Sequence, residues 1–331
     1  MKTQQIGQLT VSAVGLGCMG FSHAYGNPAS DEDAVKMIRR AYDELGCTFF
    51  DTAEMYVGRK ADGMLSVNET LVGAALKDVR NHVVIATKCG IRLAQGTSGA
   101  PVPDGRPKNI RRALYQSLIR LGVETIDLYY QHRIDPAVPP EEIAGLMQAF
   151  IDEGKIRAWG ISETDETYLR RAHAVCPVTA VQNRYSMMAR HYEPLFPVLE
   201  ELGVGFVAFS PLANGFLSGA YGHQDRFTES NDYRSRMPQF EAANIDRNQT
   251  LLQLLKTVAD AKRATPAQVS LAWMLSKKPW IVPIPGSRRY ERIAENFGAA
   301  DVTLTADEVT ALDQALDASN MSDAYGSVGH R

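Results

Sequence analysis

Short apolar runs rich in β-branched and aromatic side chains alternate with segments of helical period through most of this chain. That alternation restricts it to a parallel sheet with helices packed outside. The runs are 11–17, 47–51, 82–88, 126–131, 156–161, 178–182, 204–209 and 281–284. The helical segments behind them are 31–45, 68–77, 109–121, 140–153, 166–174, 192–202, the pair 246–261 and 266–275, and 288–297. Eight units of about 35 residues suit the ~250-residue closed barrel with additions. Period alone does not separate a barrel from an open doubly wound sheet, but the absence of any break in composition favours one (β/α)8 TIM barrel. A single domain over 1–331 is therefore expected: an N-terminal β-hairpin in 1–13, the barrel in 14–298, and an extra C-terminal helix and tail in 299–331.

Local signals fill in the rest. Residues 3–12 read as a hairpin turning at Gly7. Ser30 with Asp33 approximates a capping box, and Thr305 with Glu308 has the full spacing ahead of a helix at 306–316. Pro139, Pro140, Glu141 and Glu142 suit a helix start, where a missing N–H and negative charge are both tolerated. Residues 96–108 and 210–247 read as long loops, and the polar tail 317–331 as loosely held.

With 45% hydrophobic and 22% charged residues and a net charge of −3, the composition gives no support for nucleic acid or an anionic membrane as partner. No run approaches 18 apolar residues, and the first residues lack a signal-peptide pattern. Cys18, Cys47, Cys89 and Cys176 are scattered and read as free thiols in a reducing cytoplasm.

Three successive strands each end in an ionisable residue: Asp51, Lys88 and His132, with Tyr56 five residues after the first. Taken singly, Asp51 is an ordinary cap or turn residue, Lys88 a solvated strand end and His132 a satisfied core histidine. Jointly they match how a barrel enzyme assembles a site at its carboxyl rim. A carboxylate ending a buried strand also needs a cation.

Gly15-Leu16-Gly17-Cys18-Met19-Gly20 fits the dinucleotide fingerprint, which requires a helix directly behind the glycines. Gly26-Asn27-Pro28 breaks any such helix, so the segment reads as a close-packed first strand and loop. The run through Pro285, Gly286, Ser287, Arg288, Arg289 and Arg292 is more informative. Arginines at a helix start oppose the dipole, and a bound phosphate would remove the conflict; the alternative is a solvated basic face. Residues 209–219 could hold a pyrophosphate through amides and hydroxyls, or form a plain surface loop.

Over residues 3 to about 317 the chain resembles the aldo-keto reductases, of the NADPH-dependent bacterial type. The matching segments are Gly15-Leu-Gly-Cys-Met19, Phe50-Asp-Thr-Ala-Glu-Met-Tyr56, Ala86-Thr-Lys88, Leu128-Tyr-Tyr-Gln-His132, Gly154-Lys-Ile-Arg-Ala-Trp-Gly-Ile-Ser162 and Pro285-Gly-Ser287. The resemblance implies a barrel that reduces aldehydes and ketones with NADPH and no metal. By it, Tyr56 is the general acid, Lys88 and Asp51 its charged support, and His132 a donor to the carbonyl. A nearby ammonium favours the ionised phenol, which would bring Tyr56 toward working pH.

The same resemblance assigns Ser162 and Gln182 to the nicotinamide amide, Phe209 to its ring, and Ser210, Leu212 and Gly215 to the pyrophosphate. Gly286, Ser287, Arg288 and Arg292 match the 2′-phosphate clamp, with Glu295 and Asn296 near the adenine. Two departures stand out: Glu163 where the family has Asn, and an insertion at 57–67 beside the site, which lines the pocket or forms an oligomer contact. A small carbonyl compound is the implied partner, and a homo-oligomer is left open. The alternative is a cofactor-binding regulatory protein resembling the potassium-channel β subunits. A metal-dependent hydrolase lacks support, since no His-x-His pair occurs.

Overall fold

The computed structural model describes residues 1–94, 100–225, 227–229 and 231–325. Among these, eight parallel strands lie side by side in chain order. They are β1 (Leu16–Gly17), β2 (Phe49–Asp51), β3 (Val84–Cys89), β4 (Ile126–Gln131), β5 (Ile156–Ser162), β6 (Ala180–Arg184), β7 (Gly205–Phe209) and β8 (Ile281–Pro283). The ends of the sheet meet: Gly15 N donates to Pro283 O at 3.0 Å and Gly17 N to Pro285 O at 3.2 Å. Glycine permits this approach, because a Cβ on Gly286 would lie 2.4 Å from Gly17 O and one on Gly17 2.7 Å from Ile284 O. The fold is the (β/α)8 barrel.

Side chains alternate across each strand. Phe49, Ala86, Leu128, Tyr130, Ala158, Ala180, Val207 and Val282 fill the interior, while Phe50, Ile85, Tyr129, Trp159, Val181 and Phe206 pack outward against helices. The hairpin Thr3–Ile6 with Leu9–Ser12 adds Ile6 and Val11 to the inner cluster. Outside stand α1 (Asp31–Leu45), α2 (Asn68–Leu76), α3 (Pro107–Leu121), α4 (Pro140–Asp152), α5 (Glu166–Val175), α6 (Phe196–Leu202), α7 (Pro266–Lys277) and α8 (Tyr290–Phe297). Thr305 and Glu308 form both bonds of their capping box, and that helix spans Ala306–Ala318. At α1 the Ser30 hydroxyl accepts from Asp33 N, but Asp33 meets the Ser30 hydroxyl rather than its amide. All four cysteines are buried and free. No helix among the described residues is long and apolar enough to cross a membrane.

The sequence expectations fail where no periodic face exists to read. The run 11–17 is two strands, since the buried Ser12 hydroxyl donates to Val14 O and the chain turns there without any change in polarity. Residues 210–247 are not a plain loop: they hold single helical turns at Ala213–Ser218, Tyr233–Arg236 and Pro238–Phe240, then a helix at Ala242–Arg247. Phe216, Tyr221 and Phe227 each pack edge to face with Phe240 and hold these turns together. The loop expected at 96–108 carries part of a small hairpin, Ile91–Leu93 with Pro101–Pro103, and the helix at Pro107; Gly96 itself lies outside the described residues. The tail is tied down as far as Tyr325. Ser322 and Asn248 exchange two hydrogen bonds, and Ala324 is buried. The rest of the tail, 326–331, lies outside the described residues.

Candidate active site

The two-residue period that fills the barrel also aims its rim. Phe49 and Asp51, Ala86 and Lys88, Ala158 and Ser162, Ala180 and Gln182, and Val207 and Phe209 each share one inward face of a strand. Tyr130 is followed two positions later by His132 in the same way. Polar residues at the last inward positions therefore converge at the carboxyl ends.

They meet around one ammonium. Lys88 Nζ donates to Asp51 Oδ1 at 2.5 Å, to Thr52 O at 2.8 Å and to the Tyr56 hydroxyl at 3.3 Å. Gln182 Nε2 donates to the other Asp51 oxygen at 2.7 Å. Lys88 is fully buried and Asp51 3% exposed, so each charge depends on the other. The edge of the His132 ring meets Tyr56 with centroids 5.8 Å apart, and His23 stacks on Tyr56 at 6.0 Å. Asp51, Tyr56, Lys88 and His132 are thus brought together, as their order in the chain suggested.

Burial pulls the Lys88 ammonium down, but the Asp51 carboxylate and the hydrogen bonds to Asp51 and Tyr56 more than offset it, and it stays charged. Burial raises the Asp51 carboxyl, and the Lys88 and Gln182 bonds pull against that rise. Tyr56 departs from the sequence expectation. Burial pushes its hydroxyl above the ordinary phenol value by more than Lys88 draws it down, so the side chain is held protonated. Burial first, then the charges of Arg133 and Lys88, hold His132 far below the usual imidazole range, leaving it neutral.

A second polar layer, which sequence reasoning missed, fixes the Tyr56 loop. Thr52 Oγ1 donates to Asn68 Oδ1 at 2.7 Å, Asn68 Nδ2 donates to Ser22 Oγ at 2.7 Å, and Ser22 Oγ donates to Tyr56 O at 2.8 Å. Asn68 opens α2 and is completely buried, a position where an amide requires partners. Thr52 adjoins Asp51 and could have been found from the sequence; Ser22, in the 20–28 loop, and Asn68, at the start of α2, are distant in the chain and carry no local signal. The insertion 57–67 is a hairpin, Val57–Arg59 against Leu65–Val67, turning at Gly63 with φ 86°. It packs on the 20–28 loop, where His23 Nδ1 lies 3.1 Å from Val57 O.

The remaining predicted residues lie along the same rim. Ser162 accepts from Arg133 Nη1 at 3.2 Å. Phe209 ends β7 with the Arg184 guanidinium 5.9 Å from its ring centre. The Ser210 hydroxyl lies 3.2 Å from the Tyr325 hydroxyl, and Leu212 O accepts from Gly215 N at 2.9 Å, with Gly215 at φ 97°. Glu163 is also at positive φ, and its carboxylate accepts from Arg184 N at 3.1 Å.

The arginine segment needs a correction. The helix opens at Tyr290 rather than 288, because Ser287 Oγ accepts the Arg289 amide and keeps 287–289 in a turn. Arg288 precedes the helix and donates to Gly20 O and Asn27 O, both at 2.5 Å. Its Nη2 is buried with no acceptor among the described residues. Arg292 pairs with Glu295 at 2.6 Å, while Asn296 is buried on the inner side of the same helix.

The geometry agrees with what the chain is similar to. The aldo/keto reductase family profile matches residues 13–317. A probable aldo-keto reductase 1 of Glycine max is 39% identical over 308 residues, covering 92% of this chain and 86% of that protein. Aldo-keto reductase str7 of Strobilurus tenacellus is 40% identical over 323 residues, covering 94% and 91%. Among solved structures, the glycerol dehydrogenase AKR11B4 of Gluconobacter oxydans superposes with a TM-score of 0.84 at 27% identity, covering 97% of this chain and 96% of that one. The chain belongs to the aldo/keto reductase family, oxidoreductases of carbonyl groups.

Proposed function

We propose that this protein reduces an aldehyde or ketone to the alcohol with NADPH, Tyr56 acting as general acid. One observation carries the reading: a single buried ammonium, Lys88 Nζ, reaches both Asp51 at 2.5 Å and the Tyr56 hydroxyl at 3.3 Å. As negative charge develops on the carbonyl oxygen, the protonated Tyr56 gives up its proton to it. The phenolate left behind is stabilised by Lys88, which Asp51 keeps charged in a site with little water. Neutral His132 donates to the same oxygen and so favours the charged transition state over the neutral ground state.

NADPH supplies the hydride when bound. Ser162, Gln182 and Phe209 would hold its nicotinamide, and Ser210, Leu212 and Gly215 its pyrophosphate. Gly286, Ser287, Arg288 and Arg292 would hold the 2′-phosphate, with Glu295 and Asn296 at the adenine. The residues fit such a group: among the described residues Arg288 keeps a buried donor with no protein acceptor, and it lies just ahead of the start of α8. Arginine's planar fork favours NADPH over NADH.

Tyr56→Phe should lower kcat for aldehyde reduction by about 100-fold or more, while the NADPH dissociation constant measured by fluorescence stays close to wild type. Turnover retained in this variant would refute the assignment of the acid. Tight NADPH binding by the wild type, with no consumption across a panel of aldehydes and ketones, would instead favour a cofactor-binding regulatory role.

A further inference from the structure

The barrel mouth carries a charge that the reaction above does not use. Arg133 directly follows His132, and its Nη1 donates to His132 O at 2.6 Å and to the Ser162 hydroxyl at 3.2 Å. Both acceptors are neutral, and among the described residues Arg133 forms no ion pair. The side chain is half-buried, so its charge is partly stripped of water while Nε and Nη2 stay unbonded to protein. A guanidinium in that position lacks the counter-ion that would offset its desolvation.

The neighbouring groups do not supply one. Lys88 is committed to Asp51. Burial holds both His23 and His132 below the usual imidazole range, so neither adds charge at neutral pH. Arg184, at the rim of β6, faces Glu163 at 3.8 Å and lies over the Tyr325 ring at 3.8 Å, and its Nε is a further buried donor with no acceptor. The wall beside Tyr56 and His132 therefore carries one uncompensated positive charge and spare N–H donors. The nicotinamide placed beside Ser162 has no anionic group, and the phosphates of the cofactor are assigned to β7 and β8, away from Arg133.

The geometry points to Arg133 as the anchor for a carboxylate on the substrate: the compound this site takes is a short oxo acid, an aldehyde or ketone with a carboxylate a few atoms from its carbonyl. This rests on the reading of Tyr56 and His132 as the groups that hold the carbonyl oxygen. The planar guanidinium fork matches a carboxylate, and the adjacency of Arg133 to His132 in the chain keeps the two recognition points close.

The test compares 4-oxobutanoate with its methyl ester, which differ in charge while sharing the aldehyde, using NADPH. The wild type should favour the acid by about tenfold or more in kcat/KM, mostly through KM, with the preference shrinking as salt rises. Arg133→Met should bring the acid-to-ester ratio near one, and Arg133→Lys should retain part of the preference. Reduction of both compounds with no preference for the acid would overturn the substrate class and leave carbonyl reduction standing. If neither compound is reduced, the oxo-acid class is overturned, the panel of aldehydes and ketones decides the Tyr56 reading, and titration calorimetry with succinate decides the anion site separately. Succinate bound by the wild type but not by Arg133→Met sustains it; succinate bound by neither overturns it.

Discussion

Lys88→Met removes the one cation from a carboxylate that is 3% exposed, and its cost can be worked from the contacts. Lys88 supplies bonds to Asp51 and Thr52 O, and after its loss Gln182 alone among the described residues still donates to the Asp51 carboxylate. Breaking a buried pair by removing one partner costs roughly 3–5 kcal/mol. Asp51 can instead take up a proton, a response already favoured by its burial, which places the loss near the lower end at about 3 kcal/mol. The penalty should grow with pH. In the variant the folded-state carboxyl titrates above its unfolded value, so the folded form holds a proton that the unfolded chain has released, and stability falls as pH rises. Urea unfolding followed by tryptophan fluorescence at pH 5 and pH 8 reads both the loss and its slope. Asp51→Asn added to Lys88→Met removes the unpaired charge and should restore about half of the stability or more. A single variant within about 1 kcal/mol of wild type at pH 8, or a double variant no more stable than the single, would refute the argument that this charge pair is mutually dependent.

Burial and the nearby Glu69 raise Glu54 to about 7. Between the unfolded carboxyl value and about pH 7 the folded protein therefore holds an extra proton, and stability should decline by about 3 kcal/mol as pH rises through that window. Glu54→Gln should flatten the decline, as measured by urea unfolding across pH 4.5–7.5; an unchanged slope would assign it to other groups. A Cβ on Gly286 would strike the Gly17 carbonyl at 2.4 Å, while Gly145 in α4 faces open space. Gly286→Ala should thus cost about 2 kcal/mol or more, and Gly145→Ala should gain about 0.5 kcal/mol, both read by thermal unfolding. Arg292→Ala should weaken NADPH by about tenfold or more while changing NADH much less; equal losses in a fluorescence titration would remove it from the phosphate clamp.

The barrel was legible because burial on both faces leaves a continuous mark. Strands such as 205–209 are apolar throughout, and strand spacing repeats eight times. The convergence of Asp51, Lys88 and His132 was legible for a related reason. Each sits within one residue of a strand end on the inward parity, and parity is a property of the chain itself. What the chain could not reveal is which groups from different loops share a hydrogen bond. Asn68 joins Thr52 to Ser22, and Arg288 pins the 20–28 loop; neither partnership has a period or a fixed spacing. Nor could composition say that burial would outweigh Lys88 at the Tyr56 hydroxyl. Desolvation depends on everything that crowds around an atom, and that crowd is assembled only when the barrel closes.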